Sequence, residues 1–86
     1  MEIRDSARRH GIADPDIHHA IDNAVAAGPV ETNVDDIDGV LHVGPDRRGR
    51  MLEVITVDDL EDGEVAIHAM KLRKAYERYL PGEDRE

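Results

Sequence analysis

The chain has 86 residues, 20 Asp and Glu against 11 Lys and Arg, a formal net charge of -9 and no cysteine. One small domain follows, with a core that buries only about 60 to 65% of the unfolded surface, and disulfides, thiolate metal sites and cysteine nucleophiles are excluded. The acidity argues against general affinity for a polyanion, and with no Phe or Trp only Tyr76 and Tyr79 remain for stacking on bases.

The first helix is expected over about Ser6 to His10, with Asp5 as N-cap and Gly11 ending it in the left-handed region that glycine tolerates. A second begins at the N-cap Asp14 and Pro15, and carries Ile17, Ala20, Ile21, Ala24 and Val25 at helical spacing; Gly28 and Pro29 close it. Alternation then predicts an edge strand from Val30 towards Asp38, with a turn in the acids at 35, 36 and 38 and Gly39. Further strands are expected over Val40 to Gly44, Met51 to Val57 and Glu64 to Met70. Leu72, Ala75, Tyr76, Tyr79 and Leu80 repeat as a helix until Pro81 and Gly82. The expected fold is therefore α+β: residues 1–82 form a four-stranded antiparallel sheet with two N-terminal helices and one C-terminal helix on one face, and 83–86 are a disordered tail.

On that reading Leu41 and Val43, Leu52 and Val54, and Val65, Ile67 and Ala69 face the helices, and His42, Glu53 and His68 form a ladder on the open side. Such a ladder suits proton transfer, since imidazole titrates near neutrality. The same residues also fit a solvated polar face without function. As two imidazoles and a carboxylate they are an accepted set for zinc or iron, although no local ligand spacing supports a metal there; His18 and Asp22, at i and i+4, are spaced for a helical metal pair, but a solvated helix face explains them better. No cofactor is expected.

Basic residues fall in three groups: Arg4, Arg8 and Arg9; Arg47, Arg48 and Arg50; and Lys71, Arg73, Lys74 and Arg78. Acids crowd at 35 to 38 and 58 to 64. Convergence of the basic groups would create a local positive site on an acidic body. No run approaches the roughly 18 apolar residues of a membrane span, and the N-terminus lacks the apolar core of a signal peptide, so a cytoplasmic protein without membrane contact is expected. The small core leaves room for a homodimer or a bound partner.

His10-Gly11-Ile12 ahead of an acid-capped helix, Gly44, Gly49-Arg50, Leu52 and Val54, then Ile67, Ala69 and Lys71 before Glu77-Arg78, resemble the BrnT-type toxins of bacterial type II toxin-antitoxin pairs. Val65 to Met70 followed by Arg73, Tyr76 and Leu80-Pro81 is similar to a group of short toxin-like bacterial proteins. The resemblance covers roughly residues 8 to 80. It implies a RelE-like fold and a metal-independent endoribonuclease, with RNA as substrate and an antitoxin-like protein as partner. In that reading His68 is the general acid or base, and Arg50, Lys71 and Arg73 steady the phosphate. Arg47, Arg48, His42, Glu53, Tyr76 and Arg78 would contact substrate. The chain departs from the family at His68-Ala69-Met70, where the pattern has Ser-Ala-Arg, and a non-catalytic interaction or regulatory module is the alternative.

Overall fold

Two acid-to-glycine turns set the strand boundaries. Asp46 accepts the backbone N–H groups of Arg48 and Arg50 (2.9 Å each), and Gly49 N–H returns to the Asp46 carbonyl. Asp59 likewise accepts the N–H groups of Glu61 and Asp62 at 3.0 Å. Short carboxylates that take up their own chain's donors favour such turns over continued strand.

The computed structural model describes residues 1–31 and 38–79, without the side chain of Tyr79. Its strands are β1 (Glu2–Ile3), β2 (Ala26–Glu31), β3 (Asp38–Pro45), β4 (Met51–Asp59) and β5 (Gly63–Lys71). One α-helix, α1 (Asp14–Asp22), and two 3-10 helices, Asp5–Arg8 and Lys74–Tyr79, complete it. The sheet order is β1-β5-β4-β3-β2; β1 is parallel to β5 and the other pairs are antiparallel.

Both faces of this sheet are covered. One packs Leu52, Val54, Ala66 and Ala69 against Ile3, Ala7 and the Ile17 and Ala20 stripe of α1. The other joins Leu41, Val43 and Ile55 with Ala26, Val30, Met51 and Ile67 under Leu72 and Tyr76. At the centre of the first face Gly44 lies against α1 so closely that any Cβ there would overlap the Ala20 carbonyl. His19 Nδ1 donates to the Pro45 carbonyl at 2.8 Å, tying α1 to the β3–β4 hairpin.

This architecture overturns the expected four-stranded antiparallel sheet with three helices on one face. Glu2–Ile3 is too short to show periodicity, yet it adds a parallel fifth strand. The segment after it closes only a 3-10 helix, since one turn does not recover the cost of α-helix nucleation. α1 is capped by Ala13 rather than Asp14 and stops at Asn23, whose side chain and N–H both bind the His19 carbonyl. Ala26–Glu31, read in part as helix, is a strand; Pro29, which lacks an N–H, is tolerated because β2 is an edge strand among the described residues. The C-terminal segment is a 3-10 helix on the face opposite α1. The expected edge strand and acidic turn fall largely on residues 32–37, and the end of the last helix, Pro81-Gly82 and the tail on 80–86; these lie outside the described residues. No described helix is long and apolar enough to cross a membrane.

Candidate active site

Register decides which polar side chains meet. Leu41 pairs with Ile55 and Val43 with Glu53, while His42 pairs with Val54. Because paired residues share a face, His42 points to the α1 side of the sheet and Glu53 to the other. Between β4 and β5 the register shifts at Ile55 and Thr56: Ile55 pairs with His68, Thr56 with Ala66, and Ile67 is the extra residue of a bulge. The bulge brings Ala66 and Ala69, three positions apart, to one core and turns His68 to the side of Glu53. The expected common face of Val65, Ile67 and Ala69 is thus corrected, and so is the three-residue ladder.

What forms instead is a cluster centred on Glu53, a side chain with 0% exposure. Its Oε2 lies 2.8 Å from His68 Nε2. Arg73 adds three bonds: its N–H to Oε1 at 2.9 Å, and its Nε and Nη2 to Oε2 at 2.9 and 2.6 Å. Burial pushes the Glu53 carboxyl up, but the bonds from Arg73 and His68 outweigh it and hold the group below the usual carboxylate range. An ionised carboxylate only accepts, so His68 Nε2 carries a hydrogen and Nδ1 is the nitrogen left for proton exchange. The imidazole is 22% exposed and the guanidinium side chain of Arg73 50%. Arg73 also stacks over the Tyr76 ring, 5.5 Å from its centroid, and the His10 ring meets His68 edge-on with centroids 5.7 Å apart.

His42 belongs to a separate polar group. Thr56 donates its only hydroxyl hydrogen to Glu64 at 3.0 Å, so the 3.0 Å contact between Thr56 and His42 requires His42 Nε2 to donate. Burial lowers the pKa of His42 despite the nearby Glu64. Since His42 faces away from Glu53 and His68, the three do not form the metal set that their residue types allowed, and no other group of three or more His, Asp or Glu among the described residues is placed to hold a metal.

Ion pairing orders the hairpin arginines. Arg47 binds Asp16 through Nε at 2.8 Å, and Arg50 binds Asp46 through Nε at 3.0 Å; Arg48 makes no ion pair with a described residue. With Asp16 they line an open depression of about 380 Å³. Arg50 and Lys71 stand at the same end of the sheet as Glu53, because Leu52 pairs with Lys71 and Pro45 with Met51. Lys71 is on the α1 side, however, and Arg73 on the other. Arg78 is exposed on the last 3-10 helix. Arg4, by contrast, binds Asp62 at the opposite end, so the three basic groups do not all converge.

Sequence reasoning missed Asp46, His10 and the role of Arg73 as the partner of Glu53. Asp46 had a local signal, since Asp three positions before Gly is a turn signature. The other two depend on chain segments far apart in sequence. Compared with protein-family models, curated proteins and solved structures, the chain matches none.

Proposed function

We propose that the chain is the toxin of a bacterial type II toxin-antitoxin pair and acts as a metal-independent endoribonuclease. The observation that carries this reading is the Glu53–His68 contact: a buried, ionised carboxylate fixes one nitrogen of a partly exposed imidazole and leaves the other free. His68 Nδ1 takes the proton of a ribose 2'-OH, and Glu53 stabilises the imidazolium that forms. The exposed side of Arg73 steadies the phosphate, while Lys71 on the other face and Arg50 beside Asp46, at the same end of the sheet, would meet only neighbouring parts of the RNA strand. Expressed without its partner the protein should slow bacterial growth, and purified protein should cleave RNA in the presence of EDTA. His68→Ala should abolish both effects while the fold survives. An antitoxin that occludes this end would present acidic groups to residues 47–50 and 71–78, and its binding should weaken with salt.

A second reading, a non-catalytic interaction module, is favoured by the pairing of Arg4, Arg8, Arg47, Arg50 and Arg73 with carboxylates on a chain of net charge -9. Growth indifferent to wild-type expression, together with no RNA cleavage, would select it.

A further inference from the structure

A single imidazole leaves one proton transfer of RNA cleavage without a partner. In an in-line displacement the attacking and leaving oxygens lie on opposite sides of phosphorus. A base on one side and an acid on the other must then reach the same phosphate, each within about 2.6 to 3.2 Å of its oxygen.

His10 stands beside His68 and is the second imidazole within reach of a phosphate there. Its ring centroid is 5.7 Å from that of His68, at an interplanar angle of 77°. It is exposed, and makes no hydrogen bond or ion pair with a described residue. Its backbone is held on both sides: Gly11 N–H binds the Arg8 carbonyl at 3.1 Å with Gly11 at φ 77°, and Ser6 Oγ donates to the Ile67 carbonyl at 2.7 Å. The latter bond anchors the first 3-10 helix to the bulge that also turns His68. One local distortion of β5 therefore sets the position of both imidazoles.

We infer that His10 is the general acid that works with His68, making the site a two-imidazole centre for transphosphorylation of RNA; this rests on the ribonuclease reading above. His68 Nδ1 removes the 2'-OH proton, and the 2' oxygen forms a bond to phosphorus. The bond from phosphorus to the 5' oxygen breaks, and His10 delivers its proton to that oxygen. The products are a 2',3'-cyclic phosphate and a free 5'-hydroxyl, with no water consumed. The roles follow from the surroundings: Glu53 holds His68 by its Nε2–H and leaves Nδ1 to accept a proton, whereas no carboxylate of a described residue holds the His10 ring.

The test compares two substrates: the dinucleotide uridylyl-adenosine, whose leaving alkoxide needs a proton, and the 4-nitrophenyl ester of uridine 3'-phosphate, whose leaving group does not. His10→Ala should slow the dinucleotide by about 100-fold or more and leave the ester nearly unchanged, whereas His68→Ala should lose both. His10→Gln should behave as His10→Ala does, and thermal unfolding of each variant reports on the fold. Equal losses on both substrates in folded His10 variants, or no loss on either, would overturn the assignment of His10 and leave the ribonuclease reading standing. A wild-type protein that cleaves neither substrate would overturn both.

Discussion

Arg73 places its backbone N–H, its Nε and its Nη2 on the single carboxylate of Glu53, a group with no solvent exposure. Arg73 comes just after β5 and Glu53 is the third residue of β4, so the contact pins the start of the last 3-10 helix to the sheet. It also determines that His68 faces an anion rather than a neutral acid. The two partners are not equivalent: Glu53 has no route to water, and Arg73 is half exposed.

That asymmetry predicts unequal substitutions. Arg73→Ala leaves a buried carboxylate with His68 as its remaining side-chain partner and should cost about 3 kcal/mol at neutral pH. Glu53→Gln lets Arg73 turn to solvent and should cost about 1 to 2 kcal/mol. Urea denaturation at neutral pH measures both. The deficit of Arg73→Ala should shrink in acid, because the orphaned carboxyl can then take up a proton; an unchanged deficit would show that Glu53 is not ionised in the fold.

Stability should fall as pH falls in two windows, an upper one from His42 and an acidic one from Glu53 together with Asp14, Asp16, Asp46 and Asp59, whose partners also hold them below the ordinary carboxylate range. Burial depresses the pKa of His42 below its ordinary 6.5, so the unfolded chain binds that proton more readily, and the contribution of His42 is present above 6.5 and lost as pH falls towards the folded value. Glu53 is depressed below 4.5, so its contribution is present above 4.5 and lost further into acid. Denaturation midpoints followed from pH 8 to pH 3 should decline in these two stages, and His42→Gln should remove the upper one alone.

Asp46 and Arg50 form an ion pair but should not be equal in stability. Asp46 is buried and organises the hairpin through two backbone donors as well as Arg50 Nε, whereas the Arg50 side chain is 61% exposed. Asp46→Ala should lower the melting temperature by several degrees and Arg50→Ala by little. A loss of activity in Arg50→Ala would then report on substrate and not on folding, a distinction that matching melting curves would establish.

Gly44→Ala should be among the most damaging single-methyl additions available to this fold. The added carbon would overlap the Ala20 carbonyl oxygen and lie 2.9 Å from its carbon, both backbone atoms that no rotamer change can move. Separation of α1 from β3 should cost about 1 to 3 kcal/mol. A melting temperature equal to wild type would place α1 further from the sheet than the structure has it.

Much of the strand pattern could be read directly. Met51 to Val57 and Glu64 to Met70 alternate or run apolar, and the observed β4 and β5 contain both. The faces could not be read, because period-two alternation assigns sides only within one strand, and relating strands requires the register. Here the β3–β4 register sets His42 opposite Val54 and so away from Glu53, and one inserted residue, Ile67, shifts the phase of β5. A sheet covered on both sides also removes the usual contrast between an apolar and a polar face: Leu52 to Thr56 is buried throughout, Glu53 included. Glu53 and His68 were legible as chemistry. Their meeting with Arg73 and His10 was not, since nothing local in the sequence marks it.

The parallel pairing of β1 with β5 has a consequence for synthesis on the ribosome. Ser6 finds its acceptor 61 positions later, at Ile67, and Ile3 lies beside Ala66. β1 is therefore synthesised well before the strand it pairs with, and until β5 exists Ile3 and Ala7 have only the α1 and β4 part of their core to pack against. Ile3 and Ala7 stay more accessible to chaperones and proteases throughout that interval, and the centre around His68 is assembled only once β5 has emerged. A nascent chain stalled before β5 would leave the β1 residues without their strand partner and without His68, so the order of translation delays the chemistry until β5 is made.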